Sequence, residues 1–492
     1  MYDIKVRYNF FSIMTSINIR KLSHAEMDLY RKPLLPKTWS CFEVDKEIDT
    51  QSLRKVLQKD LDRIRSRAEK DPFSNSITML ALDISRRLEK NMLNYSALEA
   101  LIQRLAVGSI GFRADRLKDY IGERNPKVNN KIIHSIVKKL AVNKNGELIS
   151  FEEFNKIISK VTFGIVLTAH PTFGMTKKMM TDLATLASEE DDSGKKIKEN
   201  QLKSIIKEIF KTEQRPEKKI SLDFEHNLSK KALKNLQNSL RSFYLIILKL
   251  SKKLYPDNFH LIQPEILRLH TWVGYDVDGR GDIFWNNTFS KRLNVKIEQL
   301  KIYTKKLEKL CNIAKREKTK KLLNSIKRSF TQSISLNIKI LECFSKEDFL
   351  SNISQFKNIS NFMFDNKDKL ITNLDNIFEK IEKIIIDEKN QMSKNNETLV
   401  DELVIFKIEL RNFGLGLGRM QVRLNASQLN NAISKEIDLS GDPDDPSSKR
   451  TYLAALSKLI ENVKPVKINF GSILEENMNA RRYFMLIKQI FK

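Results

Sequence analysis

The pattern of apolar and polar positions predicts helix along most of the chain. Between residues 233 and 250, apolar residues recur at three- and four-residue steps with Lys and Asn between them, as on one face of an amphipathic helix. Lys301–Leu341 and Lys369–Ile385 show the same period and predict further long helices with charged outer faces. Another helix is predicted to begin at a cap formed by Ser74 or Ser76. We interpret these helices as scaffold.

One segment departs from the helical pattern. Val161–Thr168 (VTFGIVLT) is short, apolar and β-branched, which predicts a buried strand. Three polar stretches predict exposed loops and none is typical of an interdomain linker: Ser188–Asn200, Lys389–Glu397 and Leu439–Lys449. We therefore expect a single helical body at 23–492, preceded by a basic and disordered extension at 1–22.

Composition narrows the class of protein. Fifteen Gly and eleven Pro in 492 residues are few, which argues against a loop-rich all-β chain. Three distant cysteines fit neither a disulfide framework nor a thiolate zinc site, so a reducing compartment is expected. No apolar run approaches the ~18 to 20 residues of a membrane span, and the first 22 residues have no signal-peptide pattern. The sequence predicts a cytoplasmic protein without a membrane partner.

The net charge of +26 raises the question of a polyanionic partner. The lysines are scattered along the chain, which favours a general surface bias over one dedicated patch. A basic helical nucleic-acid binder is the alternative, but aromatic residues make up only 8% and no recognition motif is present. We predict no nucleic-acid partner.

His170 is the most informative histidine. It follows the predicted strand directly, and Pro171 disfavours the α region for the residue before it, so His170 is expected to be extended at the strand's carboxyl end. Catalytic side chains of α/β barrels stand at such ends. The alternative is a structural histidine satisfied at a strand terminus.

Acidic residues, glycines and an arginine crowd into Thr271–Trp285 (TWVGYDVDGRGDIFW). Asp276 and Asp278 could hold Mg²⁺ or fix arginine side chains, and Arg280 could bind a carboxylate or phosphate. A calcium loop is excluded, because the glycine follows Asp278 immediately and no closing Glu is present. A turn locked by Asp–backbone hydrogen bonds remains the structural alternative.

Three glycines alternate along a predicted strand within Phe413–Ile433, followed by Arg419 and Arg423. The spacing matches neither a phosphate loop nor a dinucleotide fingerprint. Close packing of a glycine-lined strand is the commoner explanation.

Taken in order, these stretches resemble the N-terminal half of phosphoenolpyruvate carboxylase over roughly residues 75 to 490. Val166–Thr172 (VLTAHPT) reproduces the family's V-x-T-A-H-P-T. Thr271–Gly281 (TWVGYDVDGRG) is similar to its S-W-x-G-G-D-R-D-G-N-P. Met420–Ala426 (MQVRLNA) is a fainter echo of L-D-I-R-Q-E-S, and Arg423 keeps the arginine.

The resemblance implies a mainly α fold, the N-terminal half of a helix-rich (β/α)₈-type barrel with few short strands. It implies formation of oxaloacetate and phosphate from phosphoenolpyruvate and bicarbonate, with Mg²⁺ or Mn²⁺. His170 matches the family histidine assigned to deprotonating carboxyphosphate. Arg280, Asp276, Asp278 and Arg423 are the residues expected to bind substrate or brace the site.

The sequence also departs from the family. In the second motif, Val277 replaces an arginine and Tyr275 replaces a glycine. After the first motif, Phe173 replaces a polar residue, and Lys177 and Lys178 replace paired arginines. The family's metal carboxylates, catalytic lysine and H-G-R-G-G loop belong to its C-terminal half. The metal ligands are therefore expected outside this chain, on a separate polypeptide that corresponds to the C-terminal half. The resemblance also implies a homo-oligomer. A truncated product, or a divergent and inactive interaction or regulatory protein, is the alternative.

Overall fold

The computed structural model describes residues 50–68, 70, 75–121, 125–168, 175–191, 194–212, 220–276, 283–344, 353–371, 373–391, 397–423, 427, 446–462, 476, 481–482 and 484–485. The extension predicted at 1–22 lies outside the described residues, as do His170, Asp278 and Arg280.

The chain divides into two compact units, each of which is formed by two segments. The first comprises Met1–Arg124 and Thr172–Lys219, and the second Asn125–Pro171 and Ile220–Lys492. The described helices of the first unit are α1 (Thr50–Ala68), α2 (Ser76–Glu89), α3 (Tyr95–Ile121), α6 (Lys177–Ser188) and α7 (Glu199–Lys211). Those of the second are α4 (Pro126–Leu140), α5 (Phe151–Ile158), α8 (Leu222–Leu254), α9 (Trp285–Ile313), α10 (Glu317–Phe344), α11 (Ile353–Asp365), α12 (Asp375–Lys389), α13 (Glu397–Phe413) and α14 (Pro446–Asn462).

Side-chain caps fix where several helices begin. The Asn75 side chain accepts hydrogen bonds from the first-turn amides of α2, so the cap is Asn75 rather than the serines on either side of it. Ser150 caps α5. The negative charges of Glu152 and Glu153 lie in the first turn of this helix, where they interact favourably with the positive end of the helix dipole. Ser221 caps α8 in the same way.

The long helix predicted over Lys301–Leu341 is two helices in the structure. α9 ends at Ile313, where Ala314 adopts an extended backbone, and α10 begins at Glu317. Arg316 in the connection donates to the Asp387 carbonyl oxygen at 3.2 Å. The apolar pattern continues through the break, so the break is not visible in the periodicity.

The described strands form a three-stranded parallel sheet of order β1-β2-β3. β1 (Phe163–Leu167) confirms the strand predicted at Val161–Thr168, and it pairs with β2 (Leu267–Thr271). The burial predicted for this strand is wrong, because every residue of β1 is at least partly exposed and Phe163 is 59% exposed. β3 (Arg419–Met420) pairs with the end of β2. The mainly α fold class with few short strands is confirmed.

The glycine-rich segment before β3 is a turn, and the strand predicted there is wrong. Gly414 has φ +56°, a left-handed conformation that ends α13, and its amide donates to the Leu410 carbonyl at 2.9 Å. Side chains from the neighbouring helices hold the carbonyls that follow. The Tyr303 hydroxyl donates to the Gly414 oxygen at 2.8 Å, and Gln237 Nε2 donates to the Leu417 oxygen at 2.9 Å.

The main core of the second unit lies between α8, α9, α10, α12 and α13. Its buried members include Tyr244, Ile247, Leu300, Val404 and Phe406. α13 is buried on nearly all sides, as expected for the central helix of a bundle. Among the described residues, no helix combines the length and the apolarity that crossing a lipid bilayer requires.

Candidate active site

The carboxyl ends of the strands meet at one edge of the sheet, and two sequence motifs converge there. β2 ends at Thr271 and β3 at Met420. Beyond these ends, the Gln421 amide donates to the Thr271 carbonyl oxygen at 2.9 Å, and the Arg423 amide donates to the Tyr275 carbonyl oxygen at 3.3 Å. The carboxyl edge of a parallel sheet is where ligands of α/β proteins commonly bind.

Arg423 is the most clearly positioned side chain at this edge. Its Nη1 lies 3.2 Å from Asp276 Oδ2, and its Cζ lies 4.7 Å from the centre of the Trp272 ring. The carboxylate fixes the direction of the guanidinium, and the indole fixes its plane. The Arg423 side chain is nevertheless 42% exposed. A planar, oriented and accessible guanidinium is suited to binding a carboxylate or a phosphate. Sequence analysis assigned no role to Trp272.

The turn that carries Asp276 packs closely against α8. Gly274 has φ +90°, and a Cβ at this position would come within 3.2 Å of the His226 ring. The adjacent Tyr275 side chain is buried and meets the same ring edge-on, with 6.0 Å between ring centres. Burial, assisted by the nearby Lys230, lowers the pKa of His226 to about 4, so this imidazole is neutral at neutral pH. The turn therefore packs on an uncharged surface.

β1 contributes the third strand end. The Leu167 carbonyl oxygen accepts from the Trp272 amide at 3.3 Å and from Thr271 Oγ1 at 3.4 Å, which ties the end of β1 to the start of the Asp276 turn. His170 follows Leu167 by three residues in the sequence, outside the described residues.

Two of the five predicted site residues are brought together by the structure. Asp276 and Arg423, 147 residues apart in the chain, form an ion pair. His170, Asp278 and Arg280 lie outside the described residues, and their roles remain predictions.

Sequence analysis missed a polar group on the face of the sheet opposite to the one that carries Leu267 and Leu269. His270 Nδ1 lies 3.4 Å from Gln421 Nε2, and Arg268 and Arg419 both pair with Glu265, at 2.6 and 3.0 Å. Burial lowers the pKa of His270, as do Arg419 and Arg268. The alternation of leucine and polar residues in Leu267–Thr271 (LRLHT) is the signal that could have revealed this face.

The described part of the chain does not by itself supply a divalent-metal site. No group of three or more His, Cys, Asp or Glu side chains in these residues is arranged to hold a metal ion. The Asp276 carboxylate is paired with Arg423. Because Arg423 already neutralises the negative charge of this carboxylate, Asp276 is poorly suited to bind a metal ion as well.

Comparison with known proteins agrees with the motifs. The family model for phosphoenolpyruvate carboxylase matches residues 52–469, which is most of the chain and includes both segments of the candidate site. No curated protein matches this chain. Because the family model covers well over half of the sequence, the chain belongs to the phosphoenolpyruvate carboxylase family.

Proposed function

We propose that this chain forms part of an enzyme that makes oxaloacetate and phosphate from phosphoenolpyruvate and bicarbonate. One observation carries the proposal: two family motifs, distant in the sequence, converge at the carboxyl edge of a parallel sheet, where Arg423 is held by Asp276 and Trp272. Membership of the family gives the reaction class, a carboxylase of the lyase type.

Arg423 would bind the phosphate or carboxylate of phosphoenolpyruvate. Both groups are anionic and both accept paired hydrogen bonds from a planar guanidinium. Asp276 and Trp272 hold that guanidinium before the substrate arrives, which reduces the entropy lost on binding. The preorganised cation would then stabilise negative charge as it develops during the reaction.

His170 would act as the base. A bicarbonate oxygen attacks the phosphorus atom, the bond from phosphorus to the enol oxygen breaks, and carboxyphosphate and the enolate of pyruvate form. His170 then takes the proton of carboxyphosphate, which releases CO₂ and phosphate, and the enolate carbon attacks CO₂. Its place three residues beyond β1 in the sequence supports this role. Enzymes of this family generally use a divalent metal, whose ligands we expect outside the described residues.

We further propose that additional strands complete the sheet. Within the described ranges, the outer edges of β1 and β3 pair with no other strand. Val166 of β1 is 39% exposed on the same face that carries His270. Parallel sheets are normally covered on both faces, and an unpaired strand edge leaves backbone hydrogen-bonding groups without partners. The strands could come from residues outside the described ranges or from a second polypeptide, and native mass spectrometry of the complex from its own cells distinguishes these sources.

The second candidate is an inactive interaction or regulatory protein of the same family. The substitutions Tyr275 and Val277 favour it, because they fall within the motif that the family uses at this edge. The buried Tyr275 ring occupies space that a glycine would leave empty.

The test is bicarbonate-dependent oxaloacetate formation by the full chain, captured from its native cells with whatever binds it. We expect activity, and we expect His170→Asn to lower kcat by about 10²–10⁴-fold, the range typical of general acid–base catalysis. His134→Asn, at an exposed histidine of α4, is the matched control and should leave the rate unchanged. An inactive wild-type complex would favour the second candidate, and an active His170→Asn variant would exclude the base.

A further inference from the structure

Two side-chain pairs follow one another between β2 and β3 and the residues that continue them. His270 Nδ1 lies 3.4 Å from Gln421 Nε2. Two residues further along both segments, Arg423 Cζ lies 4.7 Å from the centre of the Trp272 ring. Two residues of extended chain correspond to roughly 6.5–7 Å. His270 is therefore a close neighbour of Arg423, the side chain proposed to bind the substrate.

Gln421 is placed to fix the tautomer of His270. Its side-chain nitrogen faces Nδ1, and an amide NH₂ group can only donate, so Nδ1 is the acceptor. The hydrogen of the neutral imidazole is then on Nε2. Gln421 is itself held in place, because its backbone amide donates to the Thr271 carbonyl oxygen at 2.9 Å. The pair thus gives His270 one N–H donor, on the side of the ring away from Gln421.

The Nε2 side of the ring is open. Nε2 forms no hydrogen bond with any residue that the structure describes, and the His270 side chain is only half-buried. Gly164 of β1 lies beside this edge of the ring, where a Cβ would come within 3.7 Å of Cδ2 and 3.8 Å of Nε2. Because glycine has no side chain, the space next to the nitrogen stays empty. An oriented donor beside such a space is suited to a ligand.

The neighbours of His270 also keep its ring uncharged. Burial lowers the pKa of His270, and so do Arg419 and Arg268 on the same face of the sheet. These two arginines both pair with Glu265, at 3.0 and 2.6 Å, which fixes their positions. The two neighbouring side chains therefore differ in chemistry, since Arg423 offers a charge and His270 a neutral hydrogen-bond donor.

We propose that His270 binds the substrate next to Arg423 and donates a hydrogen bond from Nε2 to one of its anionic oxygens. This inference rests on the proposed function, because the substrate is taken to be phosphoenolpyruvate. That molecule carries a carboxylate and a phosphate on a short carbon frame, so it can present oxygens to both side chains at once. The role differs from that of His170, which is proposed as the base.

Calorimetric titration of the complex with phosphoenolpyruvate, in the absence of bicarbonate, tests the inference without turnover. His270→Asn should raise the Kd about 10- to 100-fold, the loss expected for one hydrogen bond to a charged group. His270→Gln should bind almost as tightly as the wild type, because the amide nitrogen of glutamine reaches the position of Nε2 and that of asparagine the position of Nδ1. His134→Asn, at the exposed histidine of α4, is the matched control and should leave the Kd unchanged.

Gln421→Glu tests the tautomer, which a purely structural role of the pair would not involve. A carboxylate accepts from Nδ1–H and raises the pKa of the imidazole, so that Nε2 carries a proton only while the ring is charged. Between roughly pH 7 and 9, above the usual pKa of an imidazole, the Kd of this variant should therefore rise with pH. The wild-type ring stays neutral over this range and its Kd should not rise. Adding His270→Gln to Gln421→Glu should remove the pH dependence.

The outcomes separate this inference from the proposed function. An unchanged Kd in His270→Asn would overturn the inference whatever the activity of the complex, and equal pH profiles for the wild type and Gln421→Glu would overturn the Nε2 donor. A complex that loses affinity in His270→Asn but makes no oxaloacetate would support the inference and count against the proposed reaction. A wild-type complex that does not bind phosphoenolpyruvate would overturn both.

Discussion

At the scale of single residues, Arg423 owes its orientation to two neighbours of different kinds. Asp276 provides a charged acceptor, and Trp272 provides an aromatic face for cation–π contact. Lysine could keep the charge of Arg423 but not the flat geometry that uses both neighbours. The arrangement therefore favours a role for Arg423 in recognising a planar anion over a general need for positive charge at this position.

We predict that Arg423→Lys raises the KM for phosphoenolpyruvate about 10- to 100-fold, the equivalent of losing one charge-assisted hydrogen bond of about 1.5–3 kcal/mol. Steady-state kinetics of the active complex measures this. Arg328→Lys, at an exposed arginine of α10, should leave KM unchanged. A KM that is unaffected by Arg423→Lys would mean that Arg423 braces the edge without contacting the substrate.

The sequence selected Asp276 and Arg423 individually, but it could not show that they pair. Each lies in a motif with a chemical reason for its residue types, whereas their contact depends on β2 and β3 being neighbours in the sheet. The hydrogen bond from Arg292 to the Leu415 carbonyl oxygen was not predicted for a similar reason. In the sequence Arg292 stands among Lys and Asn and is typical of an exposed helix face.

At the scale of elements, local periodicity predicted what local forces determine. The strand at Phe163–Leu167 and the apolar stripe of α8 follow directly from the residue pattern. The break after Ile313 and the turn from Gly414 depend instead on side chains distant in the sequence. Arg316 is anchored to the carbonyl of Asp387, and the Gly414 oxygen accepts from Tyr303. Such contacts leave no trace in the periodicity.

Gly418 is where the glycine turn joins the sheet, and its lack of a side chain is required by packing. A Cβ there would lie 3.1 Å from the Leu269 carbonyl oxygen and 3.1 Å from Leu233 Cδ2. The carbonyl belongs to β2 and cannot move without disturbing the sheet. We predict that Gly418→Ala lowers the free energy of unfolding by about 1–3 kcal/mol, the usual cost of overpacking. Urea denaturation measures the loss.

The matched control for Gly418 is Gly164, in β1 of the same sheet. A Cβ at Gly164 would meet the His270 ring at 3.7 Å, an ordinary van der Waals distance. Gly164→Ala should therefore be close to neutral, or slightly stabilising because alanine has less conformational freedom in the unfolded chain. Equal losses from the two variants would show that the close contacts at Gly418 do not determine the effect.

At the scale of the whole molecule, the second unit depends on a charged group at its centre as well as on its apolar core. Glu409 of α13 is fully buried. Its carboxylate lies 3.1 Å from Arg241 Nη1 of α8 and 2.7 Å from Lys306 Nζ of α9. Arg241 also pairs with Glu402, which lies two turns before Glu409 in α13. Three helices that form the scaffold behind the sheet thus meet at one carboxylate.

Removing this carboxylate should destabilise the second unit far more than removing a surface one. Glu409→Gln keeps the shape of the side chain but leaves Arg241 and Lys306 without their shared negative partner, which should cost about 3–5 kcal/mol in the free energy of unfolding. Glu308→Gln is the control, because Glu308 is 51% exposed and pairs with Lys327 at 3.3 Å; its loss should cost about 0–1 kcal/mol. Chemical denaturation followed by circular dichroism compares the two. Similar small losses would mean that apolar packing alone holds α8, α9 and α13 together, since the ion pairs would then contribute no more in the interior than at the surface.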